Sequence, residues 1–248
     1  MDIKDRTAFQ TKNWSNFCHY HLGDWYGNWY RYSSSGNLVE QFKCIRSFKL
    51  NPSSSEVNQE NHYTYTSGTT ETKIFPPHTI DTKALFLDNA FSFGSTQAKI
   101  GSKFGFETTL KSGNRRVGVA GIYSHTLTLE RVTIIIEQLN EFPIEQKKLI
   151  KNQESNWQGM RQIVTSELEI LSEESIIWYP LYGSKENYLT INHLEDILVT
   201  CPKEVTGQKE FNLVVNWQIN SVSLLRASRV FKNLSYMSFI CEDFKQTV

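Results

Sequence analysis

Two charged residues, Glu40 and Arg46, interrupt the apolar face of the stretch from Leu38 to Leu50. Alternate residues of a β-strand point to the same side, so these charges point where Phe42 and Phe48 point. An arginine in such a place can grip a carboxylate with two parallel N–H donors. The pattern therefore predicts a pocket for a carboxylate-bearing ligand, such as a fatty acid or a bilin.

Polar and aromatic residues on other predicted strands complete this candidate site. Tyr63 and Tyr65 belong to one strand, and Glu107 and Arg116 belong to two others. If the strands close into a barrel, these side chains converge on one cavity. The candidate ligand-binding residues are Trp29, Arg31, Glu40, Arg46, Tyr63, Tyr65, Glu107 and Arg116. In the alternative, Glu40 and Arg116 pair at the rim, or a shift of one residue turns the whole set outward.

Catalytic and metal-binding motifs are absent from the sequence. It contains no Gly-x-Ser-x-Gly, P-loop or dinucleotide fingerprint, so the catalytic residues are unknown and a non-catalytic role is favoured. Cys44 lies on the inward face without a histidine nearby to activate it, which favours an inert thiol. His19 and His21 form a His-x-His pair, but no third ligand follows at a suitable spacing, so no metal site is predicted.

The composition excludes several classes of partner. Lysine plus arginine and aspartate plus glutamate both total 26, so the net charge is zero and nucleic acid is not an expected partner. No apolar run approaches the roughly 20 residues of a membrane span, and residues 1–7 are too polar for a signal peptide. The four widely spaced cysteines favour reduced thiols. We therefore expect a cytoplasmic protein, or one of the plastid stroma if the source is a eukaryote.

The N-terminal stretch predicts a helix and then a first strand. Aromatic and apolar residues recur three and four apart within residues 1–22, which is typical of a short helix. The stretch from His21 to Tyr32 follows and is rich in aromatic residues that favour strands. Because a buried tryptophan dominates local packing, Trp25 is assigned a structural role. Trp29 and Arg31, further along the strand, stay in the candidate site.

Short aromatic segments recur along the chain to residue 138. Their period of roughly ten to twelve residues predicts about eight or nine antiparallel strands and an all-β fold. The spacing is typical of an up-and-down barrel rather than of alternating strands and helices. Pro76 and Pro77 end one segment, because proline cannot continue a central strand.

A polar, charged stretch separates the chain into two similar halves. After it, Trp157-Gln-Gly159 repeats the Trp-x-Gly of residues 25–27, and the strand pattern resumes with a predicted strand from Met160 to Leu171. The predicted parts are residues 1–140 as an N-terminal barrel with its leading helix, 141–156 as a linker with a short helix, and 157–248 as a smaller C-terminal barrel. We thus predict two consecutive antiparallel barrels.

Several of these segments resemble a known family. The segments are His21 to Ser33, Gly36 to Glu40, Arg46 to Phe48, Asn61 to Tyr65, Arg115-Arg116 and Asn216-Trp217. They resemble a lipocalin-like family of cyanobacteria and chloroplasts that is catalogued only as a domain of unknown function. Ser228 to Tyr236 is similar to the last hairpin of the lipocalin-like bilin lyases of phycobiliproteins. The resemblance implies barrels of the calycin type and no established activity.

These observations favour the binding of a small hydrophobic or tetrapyrrole-type ligand in the first barrel. The cofactor is unknown: no covalently attached group is implied, and a bilin or another tetrapyrrole is one candidate. One alternative is a bilin lyase-like or isomerase/cyclase-type enzyme, with Glu107 or Glu40 as the acid or base. Another is a non-catalytic assembly factor that binds a protein partner through an exposed apolar patch.

Overall fold

One helix and two antiparallel sheets make up the described part of the protein. The structure is a computed structural model that describes residues 3–53, 55–80, 84–144, 157–179, 186–194, 196–207 and 210–246. The helix, α1, covers Ile3–Tyr20 and lies within the predicted helical stretch. No helix among the described residues has the length and apolar character needed to cross a membrane.

The first sheet contains nine strands, as the sequence predicts for this half. The strands are β1 (Gly23–Ser33), β2 (Leu38–Leu50), β3 (Val57–Tyr65), β4 (Thr70–His78), β5 (Ala84–Phe86), β6 (Ala90–Gly94), β7 (Phe104–Ser112), β8 (Arg115–Tyr123) and β9 (Leu129–Leu139). Their order across the sheet is β4-β3-β2-β1-β9-β8-β7-β6-β5. The sheet curls into a half-barrel, and β4 and β5 are its two edges. Pro76 and Pro77 lie in the edge strand β4, where a missing N–H donor costs little.

Helix α1 packs against the edge strand β5. The Asn13 side chain donates from Nδ2 to the carbonyl oxygen of Ala84, at 2.6 Å. Its Oδ1 accepts from the backbone N–H of Phe86, also at 2.6 Å. The amide of Asn13 thus takes the place of a neighbouring strand for β5, while Phe17 packs edge-on against Phe86 with ring centroids 5.1 Å apart.

The second half of the chain forms a seven-stranded sheet. Its strands are β10 (Trp157–Thr165), β11 (Ile170–Ile177), β12 (Tyr188–His193), β13 (Ile197–Pro202), β14 (Phe211–Asn220), β15 (Ser223–Lys232) and β16 (Ser235–Gln246), in the order β11-β10-β16-β15-β14-β13-β12. The prediction of one strand from Met160 to Leu171 is wrong. A turn at residues 166–169, with Leu168 at a φ of 67°, divides it into β10 and β11. A second barrel is not confirmed, because β11 and β12 are edges in the described residues.

The two sheets share one hydrophobic core. Its members include Tyr30, Ile134 and Ile136 of the first sheet and Trp217 and Phe231 of the second, all of them buried. The contact follows from strand alternation, since residues next to the cavity-facing ones point to the opposite side of β1 and β9. The division of the chain at residues 141–156 stays a prediction, because residues 145–156, with the expected linker helix, lie outside the described residues.

A buried histidine joins the two sheets. Nδ1 of His193 on β12 shares a hydrogen bond of 2.6 Å with the hydroxyl of Tyr32 on β1, and its ring lies 4.3 Å from the ring of Tyr30. Burial lowers the pKa of His193 to about 4, from an ordinary value of 6.5. The ring is therefore neutral in the folded protein at neutral pH.

Mild acid is expected to destabilise the protein through His193. Between about pH 7 and about pH 5 the unfolded chain takes up a proton at this residue while the folded chain does not, so the free energy of unfolding falls by about 2 kcal/mol. Urea unfolding at a series of pH values measures the loss. His193→Gln removes the titrating group, and a loss of the same size in this variant would contradict the assignment.

Candidate functional site

A cavity of about 620 Å³ lies on the concave face of the first sheet, next to the end of α1. Its walls are largely aromatic and apolar. They include Phe17, Phe48, Phe75, Pro76, Pro77, Ile80, Phe86, Phe91 and Phe93. The edge strands β4 and β5 do not pair with each other, and residues from both lie on this cavity.

A cluster of four charged side chains forms the floor of this cavity. Glu137 on β9 is completely buried and accepts two hydrogen bonds from Arg46 on β2: Nε to Oε1 at 2.7 Å and Nη2 to Oε2 at 2.8 Å. Arg116 on β8 donates from Nε to Oε2 of the same carboxylate. The remaining nitrogen of Arg46, Nη1, donates to Oε1 of Glu107 at 2.9 Å. We call these four residues the ion cluster.

Gly27 makes room for the ion cluster. Glu137 lies directly opposite Gly27 in the pairing of β1 and β9, and Arg46 reaches Glu137 from β2, on the far side of β1. A Cβ atom at position 27 would meet Cγ of Glu137 at 2.6 Å and Nε1 of Trp29 at 3.0 Å. The missing side chain therefore lets an arginine of one strand cross its neighbour and bind the strand beyond.

Aromatic rings flank both arginines. The guanidinium of Arg116 lies 4.0 Å from the centre of the Trp25 ring, whose Nε1 donates to the carbonyl oxygen of His21 at 3.0 Å. The guanidinium of Arg46 lies 5.3 Å from the ring of Trp29. Trp25 thus packs against Arg116 of the ion cluster, which agrees with the structural role that the sequence predicts for it. Trp29 instead lines the cavity.

Burial and the neighbouring charges together determine the pKa values of the buried groups in the ion cluster. Burial alone would raise the pKa of Glu137, but the charges of Arg116 and Arg46 outweigh it and lower that pKa. Burial lowers the pKa of Arg116 to about 10, although Glu137 acts in the opposite direction. The carboxylates of Glu137 and Glu107 overcome the burial of Arg46 and raise its pKa. Both arginines and Glu137 are therefore charged at neutral pH.

A second cavity of about 400 Å³ adjoins the first at Trp29, and a third of about 610 Å³ adjoins it at Phe93 and Glu107. Arg31 lines the second cavity, with its guanidinium 5.2 Å from the ring of Phe42, and makes an ion pair with Glu40, which lies outside the cavity wall. The three cavities together form a trough along the concave face of the half-barrel.

Seven of the eight predicted site residues line this trough. The first cavity contacts Trp29, Arg46, Glu107 and Arg116, and the second contacts Trp29, Arg31, Tyr63 and Tyr65. Glu40 does not line either cavity and pairs with Arg31. The alternative pairing of Glu40 with Arg116 is wrong, because Arg116 binds Glu137.

Sequence reasoning missed Glu137, the centre of the ion cluster. It follows the β-branched run of residues 132–136, and a charge directly after such a run is the signal that it is buried and paired. Sequence reasoning also missed the contributions of Phe17 on α1 and of Thr79 and Ile80, which follow β4, although it allowed the helix to cover one end of the barrel. These segments reach the cavity only through tertiary contacts.

The structure also shows the surroundings of Cys44, His19 and His21, the residues weighed as a nucleophile and as metal ligands. Burial raises the pKa of Cys44 to about 12, which keeps its sulfur in the unreactive thiol form. His19 packs against Tyr20, with ring centroids 4.5 Å apart. His21 packs instead against Phe86 and Phe91 beside the cavity.

The second sheet carries a similar pairing of arginine and glutamate. Glu242 on β16 accepts from Arg226 on β15 and from Arg161 on β10, with Nε of Arg161 at 2.9 Å. Arg226 lies opposite Glu242 just as Arg116 lies opposite Glu137. The two halves thus share a buried glutamate with an arginine directly opposite it on the preceding strand, whereas the second arginine comes from the adjacent strand β10 in one half and from β2, beyond β1, in the other.

The fold and the site together define an all-β protein whose curled sheet holds a trough with apolar walls and a charged floor. The chain belongs to the DUF3598 family: the model of that family's N-terminal domain, a domain of unknown function, matches residues 10–142. The resemblance to a family of unknown function is thereby confirmed. The relationship to lipocalins and bilin lyases stays a prediction.

A solved structure shares this fold. It is a protein of unknown function from the same family in Nostoc punctiforme PCC 73102, with 19% identity over 95% of this chain and 99% of that one and a TM-score of 0.75. Kievitone hydratase from Nectria haematococca also aligns, at 10% identity over 92% of this chain and 90% of that one, but its TM-score of 0.18 is too low to indicate a shared fold. No curated protein matches the chain.

Proposed function

We propose that the protein binds a small apolar ligand in the cavity on the concave face of the first sheet. The observation that carries the proposal is a cavity of about 620 Å³ with aromatic walls and a buried ion cluster at its floor. Ligand pockets typically enclose about 300 to 1,000 Å³ and combine apolar walls with a few convergent polar groups.

The position of the ion cluster supports this proposal. Burying charges costs free energy that a well-packed apolar core would avoid, so buried ion pairs are weak evidence for a purely stabilising role. Here Arg46, Glu107 and Arg116 line a cavity instead of a filled interior. Charged groups of perturbed pKa in a cleft are more frequent at functional sites than elsewhere.

The proposal extends to a lipocalin-like relationship and to a tetrapyrrole-type ligand such as a bilin. The support is the curl of the first sheet and the trough of three adjoining cavities, which offers room for an extended aromatic molecule. In this proposal Trp29, Tyr63 and Tyr65 would contact the ligand along its length.

Thermal unfolding in the presence of bilins, haem, chlorophyll precursors and fatty acids tests the proposal. A true ligand at about 100 times its Kd stabilises the protein by about 2.7 kcal/mol. Gln59→Trp, which fills the cavity from β3, is expected to abolish the stabilisation. Asn58→Trp is the matched control, since its side chain is exposed on the other side of the same strand. No stabilisation by any compound, or equal stabilisation of both variants, would contradict the proposal.

A second candidate function is an enzyme that acts on the bound ligand, in the manner of a bilin lyase or an isomerase/cyclase. The observation in its favour is Glu107, whose side chain lines the cavity and is 22% exposed while Glu137 is fully buried. Glu107 would act as the acid or base. A Glu107→Gln variant that binds a ligand normally but no longer converts it would support this candidate, and unchanged conversion would exclude it.

A further inference from the structure

The ion cluster at the floor of the cavity is already balanced in charge. Nε and Nη2 of Arg46 both bind Glu137, and Nη1 binds Glu107. The planar fork that would receive the carboxylate of a ligand is therefore occupied by a carboxylate of the protein. Two arginines face two glutamates, and their charges sum to zero.

Apart from two histidines, His21 and His78, the surroundings of the ion cluster add no basic residue to the described cavity wall. Nδ1 of His78 lies 3.1 Å from the carbonyl oxygen of Pro76. His21 lines the cavity and is neutral at neutral pH, because burial and the charges of Arg116 and Lys111 hold its pKa well below the ordinary value. Lys111 does not line the cavity. The charged side chains of the described residues that do line it are Arg46, Glu107 and Arg116.

Two hydrogen-bond donors at the cavity have no partner among the described residues. They are Nη2 of Arg116, a side chain 1% exposed, and the buried indole Nε1 of Trp29. Both residues line the cavity, but the two nitrogen atoms are covered, so a ligand reaches them when the side chains shift toward it. A buried donor without an acceptor is unfavourable, so a ligand that offers an acceptor oxygen gains what the protein lacks.

From these three observations we infer that the cavity selects a neutral apolar molecule with a carbonyl group, such as a ketone, ester or lactam, over the corresponding carboxylate. A carbonyl oxygen accepts hydrogen bonds from the free donors and leaves the charge balance intact. A carboxylate also accepts them, but it adds a negative charge that no unpaired arginine or lysine of the cavity wall neutralises. The inference rests on the proposed function and specifies which group of the ligand meets the ion cluster: a neutral carbonyl, such as the lactam of a bilin, lies there, and any carboxylate of the ligand lies away from it.

An isosteric pair of probes tests this selectivity. 2-Acetylnaphthalene carries a methyl group where 2-naphthoate carries a charged oxygen, and the two molecules are otherwise identical. Their naphthalene ring suits the aromatic walls of the cavity. In calorimetric titrations of the full chain at neutral pH, we expect the ketone to bind at least about tenfold more tightly. Equal or tighter binding of the naphthoate would overturn the inference and leave the proposed function standing.

A charge change at Glu107 sharpens the test. Glu107→Gln removes one negative charge from the ion cluster, and we expect the preference to shift toward the naphthoate by at least about tenfold. Glu130→Gln, which changes an exposed glutamate of β9 that lines none of the three cavities, should leave the preference as it was. An unshifted preference in a folded Glu107→Gln variant would overturn the inference.

If the Glu107→Gln variant does not fold, the relative affinity of the wild-type chain for the two naphthalene probes still tests the inference. Binding of neither naphthalene probe to the wild-type chain, together with no stabilisation by the compounds named for the proposed function, would contradict that function and this inference with it. The two failures are therefore distinguishable.

Discussion

Replacement of Glu137 by glutamine is expected to lower the free energy of unfolding by about 3 to 5 kcal/mol. The carboxylate binds both Arg46 and Arg116, and all three groups are buried. Without its charge, two buried guanidinium groups face the single carboxylate of Glu107. Removal of one member of a buried ion cluster leaves a charge that neither water nor another side chain neutralises.

Glu40→Gln is the matched control for this prediction. Glu40 makes an ion pair with Arg31 on the same sheet, but both side chains are about one third exposed. Exposed pairs contribute about 1 kcal/mol or less. Chemical denaturation of both variants measures the difference, and a loss below about 1 kcal/mol for Glu137→Gln would show that the ion cluster is not a buried, mutually dependent unit.

A single methyl group at position 27 is expected to cost about 2 to 3 kcal/mol. The Cβ of Gly27→Ala would lie 2.6 Å from Cγ of Glu137 and 3.2 Å from the carbonyl oxygen of Ile136. Glu137 cannot move aside easily, since Arg46 and Arg116 hold both of its oxygens. The variant should also weaken ligand binding, because the ion cluster forms the floor of the cavity.

Gly207→Ala is the control for the glycine variant. A Cβ there meets Cδ1 and Cγ of Leu234 at 3.5 and 3.8 Å, which are ordinary contacts. We expect its free energy of unfolding to change by no more than about 0.5 kcal/mol. Chemical denaturation compares the two variants, and similar values for both would mean that the close approach at Gly27 does not constrain the ion cluster.

Alternation in the sequence was enough to predict the strands that form the trough. The predicted segments from Leu38 to Leu50 and from Arg115 to Tyr123 coincide with β2 and β8, because each carries apolar residues at alternate positions and is bounded by turn residues. The same periodicity predicts that Arg46 points inward, and in the structure its side chain is buried. A charge on an apolar face therefore predicted a buried charge.

The partner of that charge could not be predicted from alternation. Glu137 is 91 residues from Arg46, and the two meet only because β9 pairs with β1 on the side opposite β2. Strand order is a tertiary property that periodicity does not encode. The expected use of the Arg46 fork for a ligand carboxylate rested on the assumption that no protein carboxylate reaches it.

The two Trp-x-Gly motifs do not occupy equivalent positions in the two sheets. Trp25 lies opposite Leu139, two residues beyond Glu137, whereas Trp157 lies opposite Gln246, four residues beyond Glu242. The Trp-x-Gly motifs are therefore out of register relative to the glutamates. The equivalent features are the glutamates with their opposed arginines, since the burial of a charge demands a fixed pairing.

A nuclear magnetic resonance titration tests the central claim most directly. The chain has six tryptophans, each with an indole N–H signal, and Trp29 lines the cavity. Trp157 instead packs with Leu224 and Phe244 in a separate cluster of the second sheet, and serves as the internal control. Trp29→Phe and Trp157→Phe variants assign the two signals.

Addition of 2-acetylnaphthalene to the labelled chain should shift the Trp29 indole signal in a saturable manner and leave that of Trp157 in place. Such a result would show that an apolar ligand occupies the concave face of the first sheet. A Trp29 signal that stays unchanged, or a saturable shift at Trp157 alone, would contradict the account.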